Sequence, residues 1–399
     1  MSSQSTYRNQ WPLIIVLASL TMFDIMAIDL YLPAFLEVKR TFNTSSSLVQ
    51  ATLSVFTLGL ALGQLVYGPL FDRYGRRGPL LIGIALFAVG SLLAALAQTI
   101  GVLLAARLVQ AAGASAGVVA PRAIVTDLLP EREAAAVYSV LGQIQMVAPV
   151  AAPLLGALIL QWSGWRASFW LLLIITLVIW VAAHHVVPDS LSANKRTMLS
   201  FRSVAVSYAA LFRNRPFLLY SMAGALLFGA LFAYISISPF ILISKFGFSS
   251  IQFSLIFGGN AFLGIVIGVL NIRLLPSMGP RGLLLLGLGV QCLSGLALCL
   301  LSFTSTSTGL FVAVLACCIG ATGMTFGNLA AVTMARADQQ AGIASAFMGA
   351  SQYAGGALVG LVTGWVGTTA IVLATVLLAC ALAALALSIV ASRATTETS

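Results

Sequence analysis

Charge is scarce in this sequence: 8% of its 399 residues are Asp, Glu, Lys or Arg, against roughly 25% in an ordinary soluble domain. It also has two histidines, five cysteines and only three lysines, Lys39, Lys195 and Lys245. Each shortage excludes something. Cys292, Cys299, Cys317, Cys318 and Cys380 form no CxxC and no metal-like spacing, so they read as packing residues. His184 and His185 have no other ligand type near them in sequence, and no metal site or cofactor is expected. No lysine follows a glycine-rich loop, so the phosphate-cradling GxxxxGK[ST] is missing and ATP is not the fuel. HExxH is absent and few carboxylates face the interior, which argues against an intramembrane enzyme. No ring of repeated charges or carbonyl filter suggests a channel.

Apolar residues make up 60% of the chain. A soluble domain of about 300 residues buries only about 75% of its surface, so the excess must face lipid. The apolar residues fall in runs of roughly 20, the length that crosses a ~30 Å hydrocarbon core as a helix. These runs lie near 11–33, 48–71, 79–98, 101–122, 136–160 and 167–187, then near 216–243, 252–272, 282–303, 309–334, 342–366 and 368–391. The fold class is therefore an all-α membrane protein of twelve transmembrane helices. The first run carries Asp24 and Asp29 and lacks a small-residue cleavage site, so it reads as a retained helix.

The net charge of +10 has a topological cause. With a cytoplasmic N-terminus, the inner segments hold most of the basic residues, among them Arg73, Arg76, Arg77, Arg122, Arg213 and Arg215. The outer loops hold Lys39, Arg40, Arg166 and Lys245. The positive-inside rule then places both termini in the cytoplasm, and the basic balance is no sign of a nucleic-acid partner. A long polar interval, 188–215, divides a six-helix bundle at 1–187 from a second at 216–399. Within it Phe201, Val204, Tyr208, Leu211 and Phe212 recur at helical spacing, as in an amphipathic helix on the membrane face. The halves are alike: the segment from Ala134 aligns with that from Ala341, pairing Gly142 with Gly349 and Gln145 with Gln352. A duplicated six-helix unit is the architecture of a rocking transporter with a midplane site.

Three ionisable groups fall inside spans: Asp24, Asp29 and Arg107. Intramembrane charges cost about 2.5–3.5 kcal/mol each on insertion scales, so each is a functional candidate, the plainer role being to hold helices together. Asp29 lies about 6 Å and Arg107 roughly 9 Å from the outer ends of their spans, which makes an ion pair between them reasonable. Asp24 is displaced from Asp29 by about 140° around the helix and faces elsewhere. A carboxylate closed into an apolar cavity holds its proton tightly, and an adjacent guanidinium opposes this, so making or breaking such a contact switches proton affinity. Tyr31, Gln145 and Met146 in the first half, and Phe228, Phe232, Tyr234, Asn260, Asn328, Gln352 and Tyr353 in the second, are the apolar, aromatic and neutral polar groups that suit a bulky amphiphilic small-molecule substrate. Ordinary helix packing would use the same residue types.

The stretch GQLVYGPLFDRYGRR, Gly63 to Arg77, resembles the signature of the major facilitator superfamily between its second and third helices. RLVQAAGASAGVVAPRAIVTD from Arg107 resembles its twelve-span drug:proton antiporters, and DLYLPAF from Asp29 with SPFILI from Ser238 is similar to the Bcr/CflA type. The resemblance implies the major facilitator fold, two pseudo-symmetric bundles, and proton-coupled drug export with the proton gradient as energy source. Gly68 permits close helix approach, and Asp72 is favoured at a helix start such as that of the eleventh span around Ala341 and Gly342, while Arg73, Arg76 and Arg77 can pair with it or hold anionic lipid. The resemblance implies that this cluster, Asp72, Arg73 and Arg77 above all, is a gating latch on the inner side. MVAPVAAPLLGA, with Pro149 and Pro153, resembles the antiporter motif, alanines replacing several of its glycines. A monomer in the lipid bilayer is expected, with protons as co-substrate. A nucleoside or nutrient permease on the same scaffold stays open, because these motifs encode neither ligand nor direction.

Overall fold

The computed structural model describes residues 11–191, 211–304, 307–337 and 341–396. Among these, nine helices are long and apolar enough to cross a membrane, or ten when the bent first pair counts as one span. The second to sixth spans are Ser46–Tyr74, Arg77–Ala95, Ile100–Leu128, Glu131–Ser163 and Arg166–Val186. The seventh, Arg215–Pro239, continues into a wide turn, Phe240–Lys245. The single helix Ser250–Ser302 holds two crossings, because Gly279 breaks it at φ 65°, a left-handed conformation open to glycine. Thr308–Gly320 with Thr322–Met334, then Ala341–Val366 and Ala370–Thr396, complete twelve. Most of the amphipathic segment expected in the interval 188–215 lies outside the described residues; Phe212, at its end, packs edge-on to Phe347.

Local chemistry sets the ends. Ser45, Thr99, Asn214 and Ser307 each cap a helix with a side-chain oxygen, and Ser249 forms a capping box with Gln252. The first span departs from the continuous helix its hydropathy predicts. It runs as Trp11–Leu20 and Phe23–Asp29, then Leu32–Ala34 and Phe35–Thr41, with a 42° bend at the first break. At that break Thr21 turns its hydroxyl back onto the Ala18 carbonyl at 2.7 Å, the kind of bond that bends helices.

Spans two, three and four pack on one another, and span six packs on span three; span seven packs on eleven and twelve in the other half. The halves join through spans two and eleven and through five and eight. Outward surfaces carry bare apolar side chains such as Ile15, Ile82, Val178 and Leu293, as lipid contact requires, and Trp162 and Trp365 stand exposed near the ends of spans five and eleven like interfacial anchors.

Small residues decide how near the helices come. Gly156 on span five meets the Leu30 carbonyl of span one, where a methyl group would strike backbone. Gly68, in contrast, has nothing within 4 Å. The close approach expected at Gly68 is thus corrected: here its side of span two is unopposed, and the tight glycine of that motif is Gly63, set against Ser115. Gly156→Ala should therefore destabilise the protein by about 1–3 kcal/mol, read as a lower Tm in detergent. Gly68→Ala should be neutral or stabilising by up to about 1 kcal/mol. Equal Tm values for the two variants would contradict the packing described.

Candidate functional site

Arg107 is fully buried in the first bundle. Its guanidinium lies 4.3 Å from the Phe56 ring centroid, 5.6 Å from Tyr31 and 5.8 Å from Phe169. Aromatic faces attract a cation, more so when water is excluded. Nη1 donates to Gln110 Oε1 at 2.6 Å, and Gln110 donates in turn to Ser91 Oγ at 2.8 Å. Nε and Nη2 have no hydrogen-bond partner. No direct ion pair joins Arg107 to Asp29, which corrects the expectation of direct contact; a pairing relayed by water is the other form expected. The reason is rotational: Tyr31, two residues and about 200° beyond Asp29, occupies the face of span one that meets Arg107. Tyr31, proposed from sequence as a substrate contact, is here part of this core, packed on Phe35 and Phe169 at 5.0 and 5.2 Å.

Asp29 is 4% exposed and faces the second bundle, where Tyr234 lies within electrostatic reach. Tyr234 accepts a hydrogen bond from Asn260 at 2.9 Å and stacks on Phe257 at 5.2 Å. Asp24 is 7% exposed and near enough to Asp29 to interact with it electrostatically. Its Oδ2 accepts a hydrogen bond from Tyr353 of span eleven at 2.6 Å, whereas Oδ1 has no partner. The two acids, expected on different faces, thus both look across the boundary between the bundles.

Other proposed contacts disperse. Phe228 packs edge-on to Tyr353 at 5.1 Å, and buried Phe232 lies against Gly356 and Gly360. Gln352 abuts Gly224, and Gln145 donates to the Thr21 carbonyl at the bend of span one. Met146 is 55% exposed. Asn328 is held inside the second bundle by Asn271 and the Met324 carbonyl. Pro149 and Pro153 lie within span five, whose Val150 and Pro153 carbonyls are met by Gly258 and by the Ser254 hydroxyl of span eight.

A second set of polar groups, not singled out from the sequence, lies between spans two, seven and eleven. Gln50, fully buried, donates from Nε2 to Ser236 Oγ on span seven and Thr363 Oγ1 on span eleven, both at 2.8 Å. Ser47 donates to the Gly364 carbonyl one turn away. These bonds close the Ser47 end of the boundary. Amides inside apolar runs were the available signal.

At the opposite end, Arg76 donates from Nη1 to Asp72 at 2.7 Å and from Nε to Asp127 at 2.8 Å, and its backbone N–H donates to Asp189 at 2.9 Å. Burial works against its charge, but Asp127 and Asp72 outweigh it and hold the guanidinium pKa above its ordinary value. Arg77 donates to the His184 carbonyl, and Arg73 lies 5.1 Å from the Tyr74 ring. Asp72 pairs with Arg76, four residues on and one of the arginines expected to meet it, and Asp127 of span four joins the same cluster; the side chains at the start of span eleven, around Ala341 and Gly342, lie outside the described residues.

Two helical bundles with buried ionisable groups at their boundary, and polar bonds closing one end of it, define a membrane transporter. The chain belongs to the Major Facilitator Superfamily, whose family profile matches residues 17–360. It is 29% identical over 347 residues to the bicyclomycin resistance protein homolog of Haemophilus influenzae, covering 87% of each chain. It is 33% identical over 274 residues to a chloramphenicol resistance protein of Pseudomonas aeruginosa, covering 68% of this chain and 64% of that one. Among solved structures, a D-xylose–proton symporter superposes with a TM-score of 0.70 at 16% identity, covering 93% and 96% of the two chains. The human organic anion transporter MFSD10 does so with a TM-score of 0.67 at 18% identity, covering 94% and 99%.

Proposed function

We propose that this protein exports small amphiphilic drugs or metabolites across a bacterial inner membrane in exchange for protons, as a monomer with both termini in the cytoplasm. The observation that carries the reading is the placement of Asp24 and Asp29: two carboxylates in the membrane interior, at the boundary between bundles, with no ion-pair partner. A proton taken by this pair from one side and released to the other as the bundles rock would drive the exchange. Arg107, caged in the first bundle against Phe56 and Tyr31, is the third ionisable group of this reading and would modulate the pair through its own bundle. Phe228, Tyr353 and Tyr234 offer aromatic faces beside the acids, which suits an amphiphile better than a small ion. Relatives named for bicyclomycin and chloramphenicol resistance support a drug-like substrate. In this orientation the closed Ser47 end is periplasmic and the Arg76 cluster is cytoplasmic.

The test is a screen in inside-out vesicles with an imposed pH gradient. Accumulation of several unrelated amphiphiles, abolished when the gradient is collapsed, is the expected result. Uptake of a single tight metabolite with no drug competition would overturn it in favour of a permease.

A further inference from the structure

Spans five and eight meet in a regular antiparallel register near the Ser47 end of the boundary and part further in. The Ser254 hydroxyl donates to the Pro153 carbonyl at 2.9 Å, and one turn on Gly258 sits against Val150. Pro153, Val150 and Met146 share one face of span five, and Ser254, Gly258 and Phe262 share one face of span eight. The next turn of this register therefore brings Met146 opposite Phe262, where a packed pair is expected. Instead Met146 is 55% and Phe262 59% exposed, and Gly142, one turn beyond Met146, has nothing within 4 Å. These side chains continue the faces that pack at Pro153 and Ser254, so they belong to the boundary and not to the outer sides of the bundles. Span eight has no buried residue from position 261 to 280.

The other side of the boundary stays shut at this depth. The alignment of the two halves pairs Gly142 with Gly349, which puts Met146 at the level of Tyr353. There span eleven is covered by span two: Ser54 lies against Gly360, and the Gln64 amide oxygen lies against Gly349, one turn inward of Tyr353. At the level of Asp24, which Tyr353 binds, the boundary is thus closed between spans two and eleven and open between spans five and eight.

The walls of the opening suit an amphiphile. At its mouth stand the Met146 thioether and the Phe262 ring, both apolar, and a flexible thioether adapts to ligands of different shape. Beside Met146, the Gln145 amide reaches the Thr21 carbonyl at the bend of span one, three residues from Asp24. A molecule sliding in from lipid would meet apolar surface first and hydrogen-bonding groups after.

We propose that small amphiphiles dissolved in the cytoplasmic leaflet enter sideways between spans five and eight, past Met146 and Phe262, to reach the groups beside Asp24 and Tyr353. The inference rests on the export reading above and names the route by which its substrate arrives. The membrane, not the cytosol, is the pool from which the protein draws.

The experiment needs no identified substrate. The probe is an uncharged benzophenone with a short hydroxyalkyl tail, dissolved in the bilayer of proteoliposomes; photolysis and mass spectrometry read its arrival as an adduct on Tyr353. The full-length protein, its five native cysteines substituted, carries Met146→Cys, and the new thiol is alkylated with a benzyl maleimide in detergent before reconstitution, which fills the opening. Val178→Cys on span six, where the native side chain is 64% exposed, is alkylated in the same way as a control for added bulk. Without alkylation both proteins should give the Tyr353 adduct. The plug at position 146 should cut its yield about tenfold or more, and the one at position 178 should leave it unchanged. Equal yields with and without the plug at 146 overturn the proposal, as does the same loss from the plug at 178. An unplugged protein that gives no adduct also overturns it, since lipid then fills the opening. Efflux of the screened amphiphiles separates the two readings: plug-sensitive adducts without gradient-driven efflux sink the export reading alone, and driven efflux with plug-insensitive adducts sinks this inference alone.

Discussion

Asp29→Asn is expected to reduce gradient-driven efflux to the level of empty vesicles while leaving normal amounts of folded protein in the membrane and downhill drug exchange intact. Asparagine keeps the shape of the side chain beside Tyr234 and Asn260 but cannot carry a proton. The absence of an Asp29–Arg107 ion pair makes the prediction sharper. Removing one member of a buried pair leaves the other charge stranded, at about 3–5 kcal/mol. Arg107 instead finds its partners in Gln110 and the rings of Phe56, Tyr31 and Phe169, so nothing is stranded when Asp29 is neutralised. The Tm in detergent should accordingly change by less than about 1 kcal/mol equivalent. Undiminished driven efflux would remove Asp29 from the mechanism, and a large fall in Tm would show that the two charges do pair in the dominant state.

The second large effect should come from a residue that carries no charge. Gln50→Leu deletes both hydrogen bonds that span two makes to Ser236 and Thr363, and leaves those hydroxyls without the amide that served them. Each bond contributes about 0.5–1.5 kcal/mol net, so the closed state of the Ser47 end should lose roughly 1–3 kcal/mol against the open one. That corresponds to a rise of about fivefold to 150-fold in its opening. An impermeant maleimide added from the Ser47 side reads this directly in a protein whose five native cysteines have been substituted and whose Ser54, buried beside Gly360, is replaced by cysteine. A rate unchanged from the parent would mean that Gln50 only fills space. Because the glutamine is neutral, the ratio of variant to parent rate should be the same at all pH values, the thiolate fraction of the reporter cysteine cancelling between them.

Most of the architecture could be read before any coordinates. The lengths of the apolar runs, the sparse charges and the polar interval near 188–215 pointed to twelve crossings, because a helix in lipid must satisfy its own backbone and keep charge out of it. The helix boundaries were less legible. Extra turns such as those of Phe35–Thr41 are amphipathic rather than apolar, and the bend near Thr21 depends on a side-chain bond that hydropathy does not register.

The site was legible only in part. Asp24, Asp29 and Arg107 stood out because a charge in an apolar run is rare. Their partners did not, since partners depend on which way each helix is turned, and a shift of two residues reverses a face. Tyr31 rather than Asp29 meets Arg107 for that reason, and Arg76 rather than span eleven holds Asp72 because the two acids Asp72 and Asp127 converge on it within one bundle.

By itself, then, the sequence determined that the chain spans a membrane as helices, roughly where it crosses, and that a few buried ionisable groups must matter, since transfer into lipid penalises charge wherever it occurs along a span. The tertiary structure alone decided that Asp24 binds Tyr353, that Gln50 bridges to Ser236 and Thr363, and that Gly68 stands unopposed, because these depend on the rotation and tilt of helices far apart in the chain.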